Sequence, residues 1–123
     1  MEGNQSIAAH CEVELDIFSG MPNPTWLLTN SEADRFTKQL AALPPAQARE
    51  LSGHLGYRGF IVQCTQGANT QSIRIQRGLV QIAMNEATLY VADQDRGLER
   101  QLLNTGRPHL TSDILQIVER EVR

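Results

Sequence analysis

Between Phe60 and Ala92 the chain runs through short apolar-rich stretches broken at close intervals by small and polar residues, and this pattern restricts the fold more than any other feature. Phe60-Ile61-Val62-Gln63-Cys64 reads as a strand by composition. The polar run Thr65 to Thr70 reads as a hairpin loop, and Ser72 to Gln76 alternates Ile73 and Ile75 with Arg74. Gly78 marks a bulge or tight turn before Leu79 to Met84, and Asn85-Glu86 turns the chain into Thr88 to Ala92. The reading is an antiparallel meander of three or four strands.

Upstream, Val13, Leu15 and Ile17 alternate with Glu12, Glu14 and Asp16, the period of a strand with one buried and one wet face. Phe18 falls on the parity of the acids, where its ring is either a pocket wall or a loop anchor. Thr29 and Glu32 match a capping box, and Ala33, Phe36, Leu40, Ala41 and Leu43 form a helical stripe, which predicts a helix over 30–42. Pro44-Pro45 ends it, with Pro45 placed to open a short second helix that reaches Ser52 and stops at Gly53. Asp93 or Asp95 is placed to cap a third helix through Leu98, Leu102 and Leu103, ended by Gly106. A last helix starts at Thr111, with Leu110 and Leu115 at hydrophobic-staple spacing and Ile114, Ile117, Val118 and Val122 as its apolar side.

A chain of 123 residues, 41% of them hydrophobic, buries enough surface for one domain and not for two. Residues 1–10 are polar and small without period and read as a flexible tail, leaving 11–123 as a single α+β domain. The expected architecture is a mostly antiparallel sheet of three to five strands with helices packed on one face, where their stripes are buried together.

The formal charge of −3 gives no positive field for nucleic acid, which is therefore not an expected partner. No stretch approaches the ~20 apolar residues of a membrane span, and the start has neither the basic region nor the apolar run of a secretory signal, so no membrane is expected and a cytoplasmic location is. Cys11 and Cys64 form no CxxC and indicate neither a disulfide framework nor a zinc site; each reads as a small apolar residue at a strand margin. Asp93, Asp95 and Glu99 have acidic metal chemistry, but N-capping by one aspartate with Glu99 exposed on the helix is the better account. His10, His54 and His109 are scattered, no G-x-S-x-G places a nucleophile, and no glycine-rich phosphate motif is present, so no cofactor is indicated.

The least generic segment is Asp16-Ile17-Phe18-Ser19-Gly20-Met21-Pro22-Asn23-Pro24-Thr25-Trp26. Its two prolines fix their own φ and push Met21 and Asn23 toward extended conformations, so the loop is stiff and loses little entropy on binding. Ser19 and Asn23 offer hydrogen-bonding groups, and Trp26 offers a broad apolar face with one N–H donor. This is either a small-ligand platform or a rigid crossover with Trp26 in the core and Asn23 bonding its own backbone. The segment resembles a D-x-F-S-G-x-P-N-P-x-W pattern in a family of small, uncharacterised microbial proteins. That resemblance extends more loosely to Leu-Gly-Tyr-Arg-Gly-Phe and to Leu-Glu-Arg-Gln-Leu-Leu, and it implies no activity, substrate or cofactor.

Asp16 is the candidate catalytic group: either a proton-transfer residue, or a strand carboxylate that is simply solvated or is paired with Arg58 or Arg74. Ser19, Asn23, Trp26, Phe18, Tyr57, Arg58 and Arg74 are the candidate binding residues, with the arginines as anion contacts and Tyr57-Arg58 between glycines as a rim. The expected function is small-molecule binding at the Phe18 to Trp26 loop, extending to a cofactor-independent acid–base enzyme of isomerase, cyclase, lyase or hydrolase type. The alternative is a protein–protein interaction or self-associating module, a homo-oligomer formed through a sheet edge or the last helix. Aromatic residues are few: Phe18, Trp26, Phe36, Tyr57, Phe60 and Tyr90 are the whole set, so where they gather is informative.

Overall fold

The computed structural model describes residues 9–51 and 56–122; the helix stop expected at Gly53, His54 and all but the end of the expected tail lie outside them. The elements are β1 His10–Leu15, β2 Thr25–Leu27, α1 Asn30–Ala41, β3 Phe60–Gln66, β4 Asn69–Gln76, β5 Leu79–Met84, β6 Ala87–Ala92, α2 Gly97–Gly106 and α3 Ser112–Val122. All strands join one antiparallel sheet in the order β2-β1-β3-β4-β5-β6. The α+β class with helices against an antiparallel sheet is as expected from sequence, but the sheet has six strands and not three to five.

The extra strand is β2, inside the segment read as loop. It pairs Val13 with Trp26, which fixes the indole on the side of Val13 and Leu15. The hairpin loop expected over 65–70 contracts to Gly67-Ala68, because β3 and β4 pair out to Gln66 and Asn69. Arg77 and Gly78 both adopt positive φ, 46° and 86°, as a type I′ turn between β4 and β5 requires.

One face of the sheet carries Val13, Leu15, Phe60, Val62, Ile73, Ile75, Val80 and Ile82, all buried, and the helices cover it. Helix α1 contributes Ala33, Phe36 and Leu40 and is closed by the reciprocal Thr29 and Glu32 capping box. Helix α2 contributes Leu98, Leu102 and Leu103, and α3 contributes Val118 and Val122. At Gly106 a Cβ would stand 2.4 Å from the Trp26 ring, so glycine there lets the end of α2 close onto the indole. The second expected helix does not form over 45–51. Pro44 O instead accepts from Ala92 N, Ala46 N donates to Tyr90 O, and Pro45 bridges to Val91, so this segment spends its backbone groups on the outer edge of β6. That cover blunts part of an exposed edge.

The cysteine reading is also corrected. β1 and β3 pair so that Cys11 lies directly opposite Cys64, their Cα atoms 4.1 Å apart, and the two are joined by a disulfide. Sequence separation says nothing about register, which is what brings them together. A bond closing a loop of 53 residues is expected to contribute about 4 kcal/mol by restricting the unfolded chain. Reduction, or the Cys11→Ser, Cys64→Ser double variant, should therefore lower the urea-derived unfolding free energy by about that amount. An unchanged midpoint under reductant would show that the bond does not hold the sheet.

Candidate functional site

Asp16 follows β1 and faces the side of the sheet away from the helices. Its backbone continues the pairing: Asp16 N donates to Gly59 O, and Arg58 N donates to Asp16 O. Gly59 adopts φ +89°, and a Cβ there would sit 2.0 Å from Ile75 O, so only glycine fits. This irregular residue interrupts the alternation, sending Tyr57 into the core and Arg58 to the opposite, open side.

On that side the carboxylate of Asp16, 8% exposed, is engaged at both oxygens. Oδ1 accepts from Arg58 Nη2 at 2.9 Å and Nε at 3.2 Å, and Oδ2 accepts from Arg74 Nη2 at 3.2 Å. Arg58 also donates to Phe18 O at 2.7 Å, and its own carbonyl accepts from Gln76 Nε2. Asn23 fastens the loop to the same knot: its Oδ1 accepts from Ile17 N and Phe18 N, and its Nδ2 donates to Glu14 Oε2 at 2.7 Å and to Asp16 Oδ1 at 3.4 Å. Of the two accounts of Asp16, the paired one describes the geometry, and with both arginines together. Such a carboxylate holds two guanidinium groups in place.

The structure thus brings Asp16, Phe18, Asn23, Arg58 and Arg74 together and separates the remaining candidates from them. Ser19 is exposed on the loop. Trp26 is 4% exposed in the core, donating from Nε1 to Thr105 Oγ1 at 3.0 Å and meeting Phe60 edge-on. Phe18 is half-buried against the core. Tyr57, also buried, donates its O–H to Glu99, whose carboxylate is held by Arg96 through Nε and Nη2 at 2.9 Å each. The expectation of an exposed Glu99 is therefore corrected: it is fully buried, because α2 turns it toward the phenol and Arg96 compensates its charge. Arg77 lies over the Tyr57 ring at 5.6 Å and pairs with Glu121. Asp93 caps α2, accepting from Leu98 N and Glu99 N, while its burial pushes its carboxyl above the ordinary range. No three acidic, histidine or cysteine side chains are grouped to hold a metal among the described residues.

Sequence reasoning missed what lies beside Arg74. Arg74, Gln81 and Tyr90 are register neighbours across β4, β5 and β6 on the open face. With Ala48, Arg49, Glu50 and Leu51 passing over them, they line a depression of about 490 Å³. Gln81 Nε2 donates to Tyr90 Oη at 3.3 Å. The signal was present in the matching parity of three strands, but the role of 48–51 as a wall was hidden by the helix expected there. Comparison with protein-family models, curated proteins and solved structures returned no match to this chain.

Asn23→Ala removes the acceptor for two backbone N–H groups and should cost about 1–3 kcal/mol in denaturant unfolding; an unchanged stability would mean that the loop is held otherwise. Burial and the neighbouring Glu99 carboxylate hold the Tyr57 phenol far above its ordinary value of 10.0. Above that pH the unfolded chain releases this proton and the folded chain keeps it, so stability falls as pH rises, by up to about 1.4 kcal/mol per unit. Tyr57→Phe should flatten the alkaline side of the stability profile, and identical slopes for both proteins would refute the assignment.

Proposed function

We propose that this protein binds a small polar molecule on the open face of its sheet, in the depression between 48–51 and the side chains of Arg74, Gln81 and Tyr90. The observation that carries the reading is the sharing of Arg74 between that depression and the Asp16 knot. One nitrogen of its guanidinium is anchored to a nearly buried carboxylate, which restricts the rotamers of a side chain that also lines the depression. A volume of about 490 Å³ falls within the range of small-molecule sites, and polar groups converge there from both walls. Asp16 acts in this reading as a positioning residue, with Arg58 and Asn23 as its supports. Binding is thus favoured over acid–base chemistry at Asp16, whose two oxygens are both engaged by arginines.

The self-associating alternative has less behind it. Leu89 and Ile117 are exposed, at 52% and 44%, but single apolar side chains on a surface are ordinary. No helix of the described chain is long and apolar enough to cross a membrane. The Cys11–Cys64 bond persists in oxidising surroundings, which weighs against the cytoplasmic location expected from the sequence.

The reading is tested by titrating a library of small polar fragments into isotope-labelled protein and mapping amide shifts by NMR. Perturbations should centre on Arg74, Gln81, Tyr90 and 48–51, and Tyr90→Ala should weaken those fragments at least tenfold. Fragments that gather instead at Ser19 to Met21 or along α2, or a library silent at millimolar concentration, would reject this site.

A further inference from the structure

Resting on that reading, we propose that the ligand is a small monocarboxylate, gripped between Arg49 and Arg74 with the Tyr90 hydroxyl as a third donor. The charge arithmetic of the lining points this way. Arg49 and Arg74 carry two positive charges against one negative charge on Glu50, leaving a single positive charge for the ligand to meet. Asp16 does not alter that balance, since Arg58 is bound to it through two nitrogens and compensates its charge. Nor does Glu14, two strands from Arg74 in the same register row, which lies outside the lining with its carboxylate on Asn23 Nδ2.

Donors line the depression on both walls. Arg74 uses Nη2 on Asp16 and has further N–H groups in the same plane, with its side chain 38% exposed. Tyr90 accepts from Gln81 Nε2 through its oxygen, so that bond does not consume the phenolic proton, and the O–H can donate to an incoming oxygen. Guanidinium groups present a planar fork that a carboxylate accepts through two parallel bonds, and with the lining carrying one net positive charge a monoanion is met more fully than a dianion. The chain already contains an instance of the arrangement: a few ångströms away, Arg58 and Arg74 hold the carboxylate of Asp16 between them. The half-buried Tyr90 ring and Leu51 give the depression an apolar patch, suited to a ligand with a flat or hydrocarbon body behind the acid.

Benzoate, its neutral isostere benzamide and inorganic phosphate, titrated separately at low ionic strength and followed through the Arg74, Gln81 and Tyr90 amides, test the proposal. Benzoate should bind at least tenfold more tightly than benzamide and more tightly than phosphate. Arg49→Gln, a change at an exposed position away from the Asp16 knot, should reduce the benzoate preference severalfold and leave thermal stability in place. Arg74→Gln should abolish the preference. Equal affinities for benzoate and benzamide at these amides would overturn the carboxylate assignment while leaving the binding site standing, and tighter phosphate would overturn it in favour of another anion. If none of the three probes moves these amides at millimolar concentration, while polar fragments of other kinds do, the carboxylate assignment alone falls; if no fragment moves them, both fall.

Discussion

The antiparallel pairing of β1 with β3 is the constraint on which both faces of this protein depend. The two strands are separated by the loop, β2, α1 and the 42–59 segment, so their register is set by side-chain pattern and not by a turn. Placing Leu15 opposite Phe60 puts Val13 opposite Val62 in the core and Cys11 opposite Cys64 at the far end. The same alignment brings Asp16 beside Gly59, where the backbone of β1 closes onto the strand entrance. A slip of one residue would turn the apolar set outward and part Asp16 from Arg58. The disulfide holds one end of this pairing and the arginine knot holds the other.

Residues 57–59 act as a clasp at that second end. Tyr57 reaches through the core side to Glu99, and Arg58 reaches through the open side to Asp16, so two adjacent side chains engage two buried carboxylates on opposite faces. Gly59 makes the divergence feasible, because its positive φ and lack of a Cβ interrupt the alternation against Ile75. Both carboxylates carry arginine partners, as buried charge requires; Asp16 has two, whereas Glu99 has Arg96, whose removal would strand a buried charge and cost about 3–5 kcal/mol. The network on the core side also joins the β4–β5 turn to α3, through Arg77 on Glu121. Helix α3, which buries only Val118 and Val122 deeply, is held by charge as well as by packing.

What the sequence showed most clearly were local rules with local causes. The alternation in β1, the Thr29 capping box and the Gly78 turn each depend on residues within one or two turns of the chain, whereas Gly106, read as a helix stop, has right-handed helical dihedrals and is required by distant Trp26. The features that escaped depend on distant partners. Trp26 reads as a loop residue until β1 lies beside it. Pro45 has the right chemistry to open a helix, yet the edge of β6 offers its neighbours backbone bonds that a helix would forfeit. Glu99 has the spacing of an exposed helical acid, and only Tyr57, 42 residues away, accounts for its burial. Asn23 illustrates the intermediate case: self-bonding within the loop was one of its two sequence readings, whereas its bond to Glu14 needs the loop folded back on β1.

The scarcity of aromatic residues locates the site differently once the fold is known. Phe18 and Trp26 bracket the stiff loop in sequence, which drew attention to the loop, but folding turns both rings toward the core with Phe36, Tyr57 and Phe60. Asn23 meanwhile spends its carbonyl and its amide on partners inside the protein, so it is committed before any ligand arrives. Tyr90 is the one aromatic side chain outside that core, and it stands in register with Gln81 and Arg74 on the open face. In the proposed reading, loop and open face are parts of one device. Asn23 ties the loop to Glu14 and Asp16, Asp16 engages Arg74, and binding to an arginine anchored in this way would cost less conformational freedom, the condition under which two or three polar contacts suffice to select a small molecule.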